Sequence, residues 1–122
     1  AEEVTMTSRN KFMVEIQVPG EPHSLALVRK VITHLASEAG FSEEDVDKSE
    51  IAVDEACTNV MEHAYHALSP NPPVHLHIHS SSQEFVVDIE SFGVALGHLK
   101  SRYLFGKSAS YARQAIPAGS EL

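Results

Sequence analysis

Residues 54–66 read DEACTNVMEHAYH, and on a helix they set Glu55, Asn59 and His63 at steps of four. At 3.6 residues per turn, such positions drift by only about 40° from one to the next. A carboxylate, an amide and an imidazole therefore share one stripe. Small or slender apolar residues, Ala56, Cys57, Val60, Met61 and Ala64, lie between them. One helix edge is polar and the adjoining edge is built to pack. Together the three polar groups can hold a hydrated cation and the phosphates it carries, because magnesium prefers oxygen ligands and keeps several waters. A glutamate beside such an ion can accept a proton from an attacking hydroxyl or water. An ordinary polar helix edge accounts for the same spacing.

Upstream, Ser42 is a natural N-cap, followed by Glu43, Glu44 and Asp45. Acids in a first turn suit the positive end of the helix dipole. The spacing predicts a helix from about residue 43 to about Ala67, ended by Ser69-Pro70-Asn71-Pro72-Pro73. Before it, Leu25, Val28, Val31, Ile32 and Leu35 recur at helical spacing, and Gly40 supplies a stop. KFMVEIQV (11–18) alternates as a half-buried strand, with Met13 out of phase, and Pro19-Gly20 ends it. VHLHIH (74–79) alternates strictly, with Val74, Leu76 and Ile78 on one face and His75, His77 and His79 on the other. After a turn at 80–83, FVVDIES (85–91) returns as the second strand of an antiparallel hairpin. The order strand, helix, helix, strand, strand predicts an α+β two-layer sandwich. Its helices lie on one face of a mixed, mostly antiparallel sheet.

The chain has 122 residues and a net charge of −8, a single domain for which a nucleic-acid backbone is a poor partner. One cysteine, Cys57, builds no disulfide framework. No apolar run is long enough for a bilayer, and the polar, acidic start is not a signal peptide, so a soluble cytoplasmic protein is expected. Residues 1–90 hold 16 acidic and 5 basic residues, whereas residues 91–122 hold 1 and 4. The expected organisation is a flexible lead-in (1–10), a core (11–90) and a tail of different character (91–122). That tail shows weak helical spacing around Leu96–Leu104 and no clear strand.

E-A-C-T-N-V-M-E-H-A-Y resembles the asparagine box of the GHKL ATPases, the group of gyrase, heat-shock chaperone, histidine kinase and mismatch-repair proteins. The branch it most resembles is that of the anti-sigma-factor serine/threonine kinases, the partner-switching kinases of bacteria. The resemblance covers roughly residues 11–90 and implies the histidine kinase-like ATPase fold. It implies Glu55 as general base, Asn59 binding magnesium through its amide oxygen, and His63 near the phosphates of ATP. It also implies a sigma factor and an anti-anti-sigma (STAS-type) protein as partners, and a homodimer.

The pattern then breaks. The family's glycine box, Asp-x-Gly-x-Gly, has an aspartate that accepts a hydrogen bond from the adenine amino group. Here the register is Ser91-Phe92-Gly93-Val94-Ala95, in which only Gly93 survives. Ser91 and Gly93 thus stand at the adenine end of the implied pocket. The lid, the second glycine-rich box and the closing strand have no counterpart, so the fold is expected to be incomplete at its C-terminal side and ATP binding weak. Three origins fit the tail: a degenerate relative, a replacement with another job, and a shifted reading frame. Resemblance and composition break at one point, which favours the last. The competing function is a degenerate, nucleotide-poor protein-binding module on the same scaffold.

Two weaker signals remain. Phe105-Gly106-Lys107-Ser108 resembles the end of a phosphate loop, but Ser101 stands where that motif needs its first glycine. His75, His77 and His79 on one strand face, or His63 and His66 on the helix, have residue types that suit zinc or nickel; a solvated sheet face explains the strand histidines equally well.

Overall fold

The computed structural model describes residues 11–65, 71–81, 83–93, 97–106 and 113–116. Strand β1 (Phe12–Val18) is followed by a 3-10 turn (Pro22–Ser24) and two helices, α1 (Leu25–Glu38) and α2 (Glu43–Asn59). A π-helical turn (Val60–Ala64) continues α2, and strands β2 (Val74–Ser80), β3 (Glu84–Gly93), β4 (Gly97–Gly106) and β5 (Arg113–Ile116) complete the order. The five strands lie in sequence order, β1-β2-β3-β4-β5, and every described neighbour pair is antiparallel. Among the described residues, no helix is long and apolar enough to cross a membrane.

The expected alternation governs the sheet. Val74, Leu76 and Ile78 of β2 and Phe85, Val87 and Ile89 of β3 are buried on one face. Val28, Ile32 and Ala36 of α1 and Ala52, Val53 and Cys57 of α2 belong to the same core. Phe85 is its aromatic hub. Its ring lies 6.5 Å from Phe12, 5.7 Å from Phe41 and 6.1 Å from Phe105, centroid to centroid. Phe41 comes from the link between the helices, so this hub ties helix layer to sheet. Met13, out of phase in the sequence, is 73% exposed.

The helix ends follow local chemistry. Gly40 has φ 101°, a left-handed conformation in which a side chain is strained. The Gly40 N–H donates to the Ser37 carbonyl (3.0 Å), and Phe41 N–H to that of Ala36 (3.2 Å). This bond pair is a Schellman cap. Ser42 Oγ then accepts from Asp45 N–H at 3.2 Å. A side-chain hydrogen bond joins the helices, Arg29 Nη1 donating to Asp54 Oδ1 at 2.8 Å.

Two expectations need correction. The α-helical ladder stops at Asn59; Tyr65 N–H donates to Val60 O at 2.9 Å, an i→i+5 bond that takes one more residue into the turn. The expected end near Ala67, the Ser69-Pro70 breaker and His66 lie outside the described residues, as do the lead-in, Val94, Ala95 and Lys107-Ser108. Second, the tail does contain strands. GHLKSRYLFG forms β4 beside β3, with Asp88 opposite Arg102 and Glu90 opposite Lys100. Arg102 grips Asp88 through Nε–Oδ1 (2.7 Å) and Nη2–Oδ2 (2.9 Å), and this bond raises the guanidinium pKa further. Leu96, Leu99, Tyr103 and Leu104 happen to satisfy a helical spacing too. What selects the strand is the row of acids on β3, which helical spacing cannot register.

If β4 is integral to the core, Phe105→Ala, removing a ring only 1% exposed, should cost about 3–5 kcal/mol in urea unfolding. A loss below about 1 kcal/mol would show a dispensable tail strand. Burial, with Asp54 nearby, pushes the Cys57 thiol from 9.0 up to about 12. Below pH 9 both folded and unfolded thiols are protonated. Above it the unfolded chain ionises first, so stability should fall as pH rises from about 9 towards 12. The native thiol should be inert to a disulfide reagent near pH ~8 and react promptly once urea unfolds the chain. Equal rates in both states would contradict its burial.

Candidate functional site

The packing edge and the polar edge of the 54–66 segment separate as their chemistry requires. Cys57 is 0% exposed and Met61 5%, against the sheet, while Glu55 and Asn59 are exposed. Small side chains at Ala52 and Cys57 let α2 lie close to the sheet. Glu55 and Asn59 thus sit one turn apart on the outer edge of α2, two oxygen-bearing groups of the kind magnesium takes. His63 falls in the π-helical turn, beyond the point where α-helical steps apply.

Ser91 and Gly93 come from the far end of β3, where Gly93 pairs with Gly97 at the start of β4. The Val60–Ala64 turn lies against β3, so the end of the stripe and the strand carrying the broken glycine box are neighbours. Ser91 follows Phe85, Val87 and Ile89 on the helix-covered face and is 3% exposed. A hydroxyl there is a neutral group in place of the carboxylate that the family's glycine box carries, and it is buried.

The turn after the stripe is held from behind. Tyr65, 1% exposed, donates its hydroxyl proton to the Pro73 carbonyl at 2.8 Å. Gly20 lies so near that a Cβ there would stand 2.1 Å from Pro72 O and 2.5 Å from Tyr65 Cε2. This clamp fixes where β1 ends, where the π-helical turn ends and where β2 begins. The Pro-Gly signal in the sequence reads as a strand stop; its packing role and the π-helical turn carry no sequence signature.

A cavity of about 340 Å3 lies elsewhere, lined by Ser37, Phe41, Glu43, Val46 and Asp47 at the opposite end of α2. About twelve residues separate it from the stripe, roughly 18 Å along the helix axis. It brings together none of the residues of the asparagine box.

Comparison with known proteins agrees with this architecture. The serine-protein kinase RsbW of Bacillus velezensis is 40% identical over 52 residues, 43% of this chain and 32% of that protein. RsbW of Bacillus licheniformis is 39% identical over 54 residues (44% and 34%), and that of Bacillus subtilis 36% over 56 residues (46% and 35%). The matched segment spans about a third of the length of these relatives. The model of the histidine kinase-like ATPase domain matches a longer stretch, residues 18–102, which runs from the end of β1 through α1, α2, β2 and β3 into β4. With more than half of its length inside that match, the chain belongs to the histidine kinase-like ATPase domain family.

Proposed function

We propose that the chain is an anti-sigma-factor-type serine/threonine protein kinase domain whose hold on nucleotide is weak. The observation that carries this reading is α2 itself: Glu55 and Asn59 exposed on one edge while Cys57 packs, in a chain with RsbW-type relatives. In this reading Asn59 takes magnesium through its amide oxygen, and Glu55 accepts the proton of the attacking hydroxyl. His63 stands near the phosphates, and Ser91 and Gly93 at the adenine end. ATP with magnesium, when bound, supplies the phosphoryl group. The partners that go with this reading are a sigma factor and a STAS-type anti-anti-sigma protein, in a cytoplasmic homodimer. The division into a flexible lead-in over 1–10, a core over 11–90 and a divergent tail over 91–122 belongs to the same proposal.

A second reading has its own support. With a buried serine where an adenine-binding carboxylate is expected, the scaffold suits a module that acts by protein contact with little nucleotide chemistry.

Calorimetry with magnesium and ATP distinguishes the two. A hydrogen bond to a charged group is worth about 1.5–3 kcal/mol, so Ser91→Asp should tighten a weak affinity roughly ten- to a hundredfold. It should also sharpen the preference for ATP over GTP. Asn59→Ala should abolish the magnesium dependence of binding. Tight, adenine-selective binding by the unaltered chain would overturn the weak-hold reading. No binding by either the unaltered chain or Ser91→Asp would favour the contact module.

A further inference from the structure

The face of the sheet away from the helices carries a polar cluster with no part in the nucleotide reading. His75 and His77 are alternate residues of β2, so both imidazoles leave the same face, their Cα atoms about 6.6 Å apart along the strand. Glu90 of β3 is the direct cross-strand partner of His75. One ligand atom from each of His75, His77 and Glu90 lies within 4.8 Å of the others. Glu90 Oε1 is the focus: it is 3.2 Å from His77 Nε2 and 4.0 Å from His75 Nδ1.

A second carboxylate faces the other side of the His77 ring. Glu15 Oε2, from β1, lies 3.3 Å from His77 Nδ1, while Glu90 Oε1 faces Nε2 of the same ring. A neutral imidazole has one N–H and one lone pair. In the tautomer with its N–H towards Glu15, Nε2 presents its lone pair towards Glu90 Oε1, as a metal ligand must. A metal ion between Nε2 and Oε1 would take a coordinate bond from each. Carboxylate, histidine and metal in series is the arrangement that fixes a ligand's tautomer and raises its basicity. Lys100 Nζ sits 3.7 Å from the other oxygen, Oε2. Arg102 is engaged bidentately by Asp88.

We propose that His75, His77 and Glu90 bind one zinc-type divalent transition-metal ion, with Glu15 orienting His77. Two imidazoles and a carboxylate form an N2O donor set suited to zinc, with the fourth position left for water. Zinc bonds of ~2.0–2.1 Å imply tetrahedral ligand separations of roughly 3.3–3.5 Å. The two separations to Glu90 Oε1, 3.2 and 4.0 Å, lie on either side of that range, and all three ligand atoms lie within 4.8 Å of one another. Pairing of β2 on both sides, by β1 and by β3, holds the two histidine backbones in place.

The test is calorimetry of the untagged chain with zinc chloride alone. One equivalent should bind, and His77→Ala or Glu90→Gln should abolish it. Glu15→Gln should weaken it by about 10–100-fold, as expected of a group that orients a ligand. His79→Ala, on the same strand face but outside the set, should change nothing. Because a β2 substitution can disturb folding, circular dichroism accompanies each variant. Cobalt added to the unaltered chain supplies a reading free of substitution: the visible d–d bands of a four-coordinate complex are expected. Several weak equivalents, a His79→Ala loss matching that of His77→Ala, octahedral cobalt bands, or a Kd above ~1 mM would overturn the proposal.

Discussion

The register of β2 in the sheet is the constraint from which the rest of the structure follows. It is paired on both sides, with Leu76 between Ile16 and Ile89, and Ile78 between Val14 and Val87. In a strand with period two, a slip of one residue would exchange Val74, Leu76 and Ile78 for His75, His77 and His79 on the helix-covered face. Three imidazoles would then enter a core with no polar partners among its apolar side chains. The cost of burying them is several times that of any local turn preference. This strand therefore sets the register of the whole sheet, and with it the position of Phe85, on which Phe12, Phe41 and Phe105 converge.

Once the sheet is set, α2 has little freedom. Cys57 and Met61 face the sheet, and Glu55 and Asn59 are necessarily on the outer edge. Local devices hold the helix at both ends. The Schellman cap at Gly40 and the Ser42 cap fix its start, and the Tyr65–Pro73 hydrogen bond beside Gly20 fixes the segment beyond its end. The π-helical turn lies between that anchor and Asn59. Turns of this kind concentrate at functional sites, because an inserted residue re-aims the side chains that follow.

The two faces of the sheet are chemically independent. The helix-covered face ends at Ser91, where the proposed nucleotide site would meet β3. The opposite face carries Glu15, His75, His77, Asp88, Glu90, Lys100 and Arg102 across β1 to β4. Substitutions on that face can test metal binding without touching Glu55, Asn59 or Ser91. The two proposals can therefore fail separately.

The amino-acid sequence by itself determined the elements whose pattern is local. The alternation of β1, β2 and β3, the helical spacing of α1, the Ser42 cap and the Gly40 stop all depend on residues within a turn or two of one another. The same holds for the two edges of α2, and for the family resemblance carried by E-A-C-T-N. Tertiary structure alone decided the remainder, because those features depend on groups distant in the chain. GHLKSRYLFG fits a helix or a strand until Asp88 and Glu90 meet Arg102 and Lys100. The i→i+5 turn after Asn59 has no local signal, and lies where the segment must reach the clamp formed by Gly20, Tyr65 and Pro72-Pro73. The histidines of β2 read as a solvated face until β3 brings Glu90, and β1 brings Glu15, to the same imidazole. A single strand cannot record which acids its neighbours will present.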